Sequence, residues 1–257
     1  MAILTLSREA FSGARELAEL VARRLNYRVV SRNDIIHKLV DYGVPTDRLN
    51  RARERQLGWL PRMAREWMHY VIFERAALSK EILSGDLIYL GNNGQQLLAG
   101  FPNTLHVGVI VGFSYRVENL TKLNGYAIDP RTARRLITKI DKKGVTWGRT
   151  IYNDGHHRAS DYDLVVDPEH ASIPEVGETI CAALQRPEYE TTPDSLAKIE
   201  LMTLAADLRA RIAMEPTIPD DGIEVAARDG VISVSGLVDF KEDAEAIAEL
   251  LDAELRS

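Results

Sequence analysis

Residues 3–25, ILTLSREAFSGARELAELVARRL, decide how this chain is read. Ile3, Leu4 and Leu6 form a short apolar strand, Ser7 to Gly13 a loop of small and polar residues, and a helix follows. Ala14, Leu17, Ala18, Val21 and Leu25 fall at i, i+3, i+4, i+7 and i+11, so one helical face is apolar and would be buried on a sheet. A loop that feeds into a helix N-terminus presents unpaired N–H groups at the positive end of the helix dipole. Such a place is suited to an anion.

The phosphate-loop signature for that use is GxxxxGK[ST]. Here Gly13 is the loop's one glycine, Arg15 stands in the place of the lysine, and Glu16 in the place of the hydroxyl. On the motif alone the stretch is a plain strand-to-helix turn with Ser12 as N-cap.

Outward from this stretch, Tyr27 to Val30 reads as a second strand and Asn33 to Tyr42 as a helix stopped by Gly43 and Pro45. Residues 47–83 carry no strand signal and read as two helices, the second from about Pro61 to Leu83 with Met63, Trp67, Val71 and Ala77 inward. Trp59 and Trp67 read as packing anchors. Asp86 to Leu90 and Leu105 to Val111 are near-continuous apolar strands, as in a parallel sheet covered on both faces. Helices at Ser114 to Leu123 and Pro130 to Lys142 follow, then a glycine-containing basic stretch, KKGVTWGRTIYNDGHHR, a strand at Tyr162 to Asp167 and a helix at Ile173 to Leu184. Five strands alternating with helices predict an α/β domain with a five-stranded parallel sheet and helices on both faces. In that class ligands bind at the carboxyl ends of the strands. Ser7 to Arg15 and Gly91 to Gly94 sit at such ends.

Residues 185–197 read as a linker. Beyond it, Leu201, Leu204, Ala205, Leu208 and Ile212 mark a helix, and Ile223 to Ala227 and Val231 to Val238 flank Arg228-Asp229-Gly230 as a hairpin. A last helix has Ala244, Ile247, Ala248, Leu251 and Leu255 inward. The expected organisation is an α/β domain over 1–184 and a small α+β module, αββα, over 198–257.

The chain has 257 residues, 45% hydrophobic and 27% charged, which is globular composition with ample core material. Cys181 is the one cysteine, so no internal disulfide exists, and no Cys/His cluster has zinc spacing. His156 and His157 lie in a loop without a carboxylate at ligand spacing, so no metal ligands are assigned. No segment approaches the roughly 20 apolar residues that span a bilayer, and the start lacks a basic region followed by a long apolar run. The expectation is a cytoplasmic protein without a membrane span. The net charge is −6, but residues 198–257 carry 14 acidic and 6 basic residues, net −8, leaving about +2 for the rest. An acidic C-terminal part does not suit nucleic acid or anionic lipid; the N-terminal part has cations where a phosphate ligand needs them.

Several stretches together, LTLSREAFSGARELAELVARRLNY, VVSRNDII, LIYLGNNGQQLL, FSYRVENL, ARRLITKIDK and SDYDLVVD, make residues 1–184 resemble the cytidylate-kinase-like family, a branch of the P-loop nucleoside monophosphate kinases. The branch usually carries a loop like SREFGSGGREIA, so an arginine for the lysine is a habit of the family. The resemblance implies an ATP-dependent phosphotransferase using Mg²⁺ and acting on a nucleoside monophosphate or another small acceptor. It implies cofactor binding by Ser12, Gly13, Ala14, Arg15 and Glu16, catalytic cations at Arg8, Arg15 and Arg149, and substrate contacts from Asp34, Asn92, Asn93, Arg116 and Arg135. Arg131, Lys139, Lys142 and Lys143 would add to the positive lining.

The chain departs from that pattern in the phosphate loop, where Phe11 and Ala14 replace glycines, and after the third strand, where Asn92 stands in the place of an arginine. The departures imply an alternative, a catalytically weak kinase-like sensor of a nucleotide or metabolite. The C-terminal IEVAARDGVISVSGLVDFKEDAEAIAELL resembles a BON domain, which implies a ligand- or partner-binding module, and the hairpin edge there predicts a homo-oligomer.

Overall fold

The computed structural model describes residues 1–43, 61–123, 128–152 and 158–256. The expected helix within 47–60, Trp59, His156 and His157 lie outside these residues, as do the side chains of Met63 and Trp67.

The first compact unit comprises Met1–Arg32 and Gly85–Thr191. Its centre is β1 (Ile3–Arg8), where Ile3, Leu4, Thr5 and Leu6 are all fully buried because neighbouring strands flank it and helices cover it. β2 (Arg28–Ser31), β3 (Leu87–Leu90), β4 (Thr104–Val109) and β5 (Leu164–Val166) complete a parallel sheet in the order β2-β3-β1-β4-β5. Leu4 aligns with Ile88 and Leu105, and Leu6 with Leu90 and Val107. The five-stranded parallel sheet read from the apolar runs is the one observed.

Leu4 and Leu6 face a core built with α1 (Ala14–Leu25) and α7 (Ile173–Leu184), which buries Leu17, Val21, Val176 and Ile180. α7 spans Ile173 to Leu184, the bounds expected for it, and starts on a capping box of Ser172 with Glu175. Thr5 and Ser7 alternate to the other face, toward α4 (Gly94–Leu97). α5 (Phe113–Lys122) and α6 (Pro130–Tyr152) pack together through Val117, Leu120, Ala133 and Ile137.

α6 corrects the expectation of a helix that stops near Lys142. It runs through Gly144 and Gly148 to Tyr152. Each glycine costs about 1 kcal/mol in a helix interior, which an otherwise uninterrupted run of helix-compatible residues tolerates. β1 likewise runs two residues further than its apolar pattern, through Ser7 and Arg8, so the loop proper is Glu9 to Gly13.

The second compact unit comprises Asn33–Ser84 and Thr192–Ser257, a grouping that chain order does not reveal. It contains α2 (Arg32–Lys38), a following 3-10 turn to Tyr42, α3 (Pro61–Ile82), α8 (Pro193–Met214), the hairpin β6 (Glu224–Arg228) and β7 (Val231–Ser235), and α9 (Lys241–Arg256). The αββα order is as expected, with differences in the faces. α8 begins inside the residues read as linker, on a Thr192–Ser195 cap. It buries Ile199, Thr203, Ala206 and Ala210 as well as Ala205, Leu208 and Ile212, because α3 packs against one side and the hairpin against another. Leu204, expected inward, is exposed. In α9 only Ile247 is buried, while Ala244, Ala248 and Leu255 face solvent, because a two-stranded sheet offers little area to cover a helix.

A buried ionic cluster ties this unit together. Asp220, 1% exposed, accepts from His69 Nε2 at 2.9 Å and from Arg209 Nη2 at 2.9 Å. Burial alone would raise the Asp220 carboxyl, but the hydrogen bonds and charges of His69 and Arg209 outweigh it and hold the group well below the usual carboxylate range. Asp207 adds a second node, accepting from Tyr42 Oη at 2.9 Å and lying 2.6 Å from Lys80 Nζ.

Candidate functional site

The β1–α1 loop is held in shape by backbone bonds and by a neighbouring helix. Ser12 N–H donates to the Glu9 carbonyl at 3.3 Å, and Leu17 N–H to the Gly13 carbonyl at 3.1 Å. Asn119 of α5 donates through Nδ2 to the Phe11 carbonyl at 3.0 Å. Gly13 has φ +84° and is the N-cap of α1, so Ser12 is not the cap that the turn reading expected. No side chain caps α1, which leaves the first N–H groups of the helix without partners inside it. The Ser12 hydroxyl is buried and has no hydrogen-bond partner among the described residues, and Ala14, the first helical residue, is buried. Arg15 and Glu16 are exposed in the first turn.

Phe11 occupies a left-handed conformation at φ +65°, which costs a residue with a Cβ roughly 1–2 kcal/mol. Its ring packs against the Val117, Leu120, Ala133 and Ile137 cluster, which supplies the offset. The departure from glycine is therefore accommodated by an apolar anchor between loop and helices.

A second layer lies under the loop. Ser7 Oγ donates to Gln95 Oε1 at 2.8 Å, and Gln95 Nε2 is 3.5 Å from Tyr162 Oη. Burial pushes the Tyr162 phenol up to about 12, so it stays protonated. Gly108 is required there, since a Cβ on it would lie 2.6 Å from the Tyr162 ring. Thr5 Oγ1 meets His106 Nδ1 at 2.9 Å, and burial lowers the His106 pKa. Sequence reasoning missed Ser7, Gln95 and Tyr162. The period-2 alternation of polar Thr5 and Ser7 with Leu4 and Leu6 was the available signal.

The remaining expected site residues fall on several elements. Arg8 ends β1 opposite Val109; its side chain lies outside the described atoms. Asn92 is exposed in the turn after β3, whereas Asn93 is buried at φ +62° and its carbonyl accepts from Gln96 and Leu97, opening α4. Arg135 and Arg149 are exposed on α6, and Asp34 is exposed in the first turn of α2, within the second compact unit. Arg116 is different. It is 2% exposed, its guanidinium makes two hydrogen bonds to Asp141 at 3.1 and 2.5 Å, and Glu9 lies 4.0 Å away. Its charge is spent on joining α5, α6 and the loop.

Asp167, Glu169 and His170, after β5, bring ligand atoms within 4.8 Å of one another, a grouping the sequence reading did not single out. Asp167 already accepts from Glu169 N–H and meets His170 Nδ1 at 2.7 Å, and Glu169 accepts from Gly112 N–H at 2.7 Å. Among the described residues no helix is long and apolar enough to cross a membrane.

Residues 3–170 match the family model described as the Cytidylate kinase-like family. The chain belongs to that family. Its fold is accordingly kinase-like, a phosphotransferase-type sheet with the loop at the end of β1. The structure is similar to that of an uncharacterized protein from Eubacterium ventriosum, at TM-score 0.53 and 15% identity, covering 72% of this chain and 100% of that one. It also aligns with a shikimate kinase from Bacteroides thetaiotaomicron, at TM-score 0.43 and 13% identity over 72% of this chain and 99% of that one. A sugar kinase from Janibacter sp. aligns at TM-score 0.44 and 12% identity over 75% and 99%. The likeness to the Eubacterium ventriosum protein, at 15% identity, is one of fold alone. No curated protein matches the chain in sequence.

Proposed function

We propose that this cytidylate-kinase-like chain binds a phosphate-bearing nucleotide at the β1–α1 loop and transfers a phosphoryl group from ATP to a small acceptor such as a nucleoside monophosphate. The observation that carries the reading is the buried, unpartnered Ser12 hydroxyl beside the uncapped N-terminus of α1. A buried hydroxyl left unpaired costs about 1–3 kcal/mol, and a phosphate oxygen would satisfy it together with the orphan N–H groups. Exposed Arg15 in the first turn supplies the charge that a phosphate needs. Mg²⁺, when bound, would neutralise charge between the phosphates; Glu16 offers it a carboxylate oxygen, the kind of donor this ion takes. Arg8, Arg135, Arg149 and Asn92 are the further groups available to donor and acceptor.

The alternative, a weak or inactive sensor, is favoured by Arg116, whose guanidinium is already neutralised by Asp141 and Glu9 and is not available to stabilise developing charge. Titration calorimetry with ATP, ADP and CMP decides the binding step: Arg15→Ala is expected to lose about 1.5–3 kcal/mol, the scale of a hydrogen bond to a charged group. Equal affinity in the variant refutes the assignment. Coupled assays with CMP, dCMP and UMP then separate the two readings. A rate in the usual kinase range of roughly 1–100 per second favours the enzyme, and binding without turnover favours the sensor. In either case the αββα module, by its BON-like pattern, acts as a binding element through which the chain self-associates, and the protein resides in the cytoplasm.

A further inference from the structure

Among the described residues the hairpin of the second unit is a two-stranded sheet by itself, so each of its strands has one edge without a neighbouring strand there. Its turn, Asp229-Gly230, has φ +51° and +79°, the two-residue geometry that makes Arg228 and Val231 the first hydrogen-bonded pair. From there the pattern is set: Ala226 with Ser233 and Glu224 with Ser235 are the next hydrogen-bonded pairs. The N–H and C=O groups of Val231, Ser233 and Ser235 therefore point at β6. Those of Ile232 and Val234 point away from it, and among the described residues nothing accepts or donates to them.

The side chains tell the same story on the perpendicular axis. Val225 and Ala227 share the helix-facing side with Ile232 and Val234. α8 lies mainly over β6, so the β7 half of this apolar face is thinly covered, and Val234 remains 38% exposed. Just past the strand, Leu237 is 89% and Phe240 67% exposed. β7 carries no charge, proline or bulge, the usual devices that blunt an edge.

Resting on the self-association read above, we infer that the occupant of this edge is β7 of a second copy, added antiparallel about a two-fold axis through Ser233. The strand VISVS is self-complementary in that register. Ile232 of one copy opposes Val234 of the other, and these are the residues whose backbone groups are free, so two such pairs supply four hydrogen bonds. Both pairs put their side chains on the helix-facing side, giving a four-stranded sheet with a continuous apolar face, while Ser233 meets its own twin on the opposite face. Any register shifted by one residue would oppose an outward-pointing backbone group with an inward-pointing one and turn a serine to the core.

Three measurements on the full chain test this. Sedimentation should give twice the 28.8 kDa chain mass. Val234→Pro removes only a donor that points out of the hairpin, a position where an edge strand accepts proline, and should return the species to the single-chain mass with far-UV circular dichroism unchanged. Ser233→Cys should cross-link quantitatively under mild oxidation, since two-fold mates in a non-hydrogen-bonded pair sit about 4.5 Å apart at Cα, within disulfide reach. Ser235→Cys should not, its twin being four residues away, roughly 13 Å. The native Cys181 is buried. A dimer that fails to cross-link at Ser233 overturns the register but leaves self-association standing. A single-chain mass at every concentration overturns both. Should Val234→Pro unfold, the cysteine pair alone decides.

Discussion

Two arginines chosen for the same reason, a guanidinium in a kinase-like sequence, end in opposite circumstances. Arg15 is exposed at an uncapped helix start, and Arg116 is buried in a two-pronged bond to Asp141. Substitution should separate them cleanly. Arg15→Ala weakens nucleotide binding with little change in folding. Arg116→Ala removes the cation that serves two partly exposed carboxylates, Asp141 and Glu9, and lowers unfolding stability by about 2 kcal/mol. Urea titration measures the second effect. A variant as stable as the parent would show that Arg116 is not a structural tie and would return it to the pool of substrate-facing cations.

At the scale of elements, α6 is the informative case. A run with Gly144 and Gly148 among basic residues has the composition of a loop, yet it is helical to Tyr152. A Cβ on Gly144 would meet nothing within 4 Å, and its backbone is helical. Gly144→Ala should therefore stabilise the chain by about 0.5–1 kcal/mol, by raising helix propensity and restricting the unfolded state. A higher midpoint in thermal unfolding is the expected result; a lower one means the glycine serves a motion the helix needs. Gly108 is the contrast, because its missing Cβ makes room for the Tyr162 ring at the base of the site.

At the scale of the molecule, the second unit depends on a buried charge cluster, and this sets a pH dependence. The Asp220 carboxyl is held below its ordinary 3.8 by His69 and Arg209. As pH falls the unfolded chain takes up a proton before the folded one, so the stabilisation is complete above about pH 4 and is lost as pH falls from there toward the folded value. Stability of the full chain should rise from roughly pH 2 to about pH 4, and Asp220→Asn should flatten that rise and cost about 3 kcal/mol at neutral pH, because Arg209 is left without its anion. A variant with the parental pH profile would show that other carboxylates carry the acid sensitivity.

What the sequence determined by itself is whatever short-range pattern controls. The apolar runs at Leu4, Ile88 and Leu105 specify strands buried on both faces, the Ser172–Glu175 box starts α7, and Asp229-Gly230 turns the hairpin, since each rests on neighbours within a few residues. The loop residues of the candidate site were not legible in this way: the motif alone reads as a plain turn, and they were assigned through the resemblance of several stretches together. Tertiary structure alone decided which charges stay available and which segments keep company. Arg116 meets Asp141 across 25 positions, and Ser7 meets Gln95 across 88. His69 meets Asp220 across 151, and residues 33–84 join the C-terminal helices. These pairings are set by how helices and strands pack once formed, and local periodicity carries no record of which exposed-looking charge will find a partner so far along the chain.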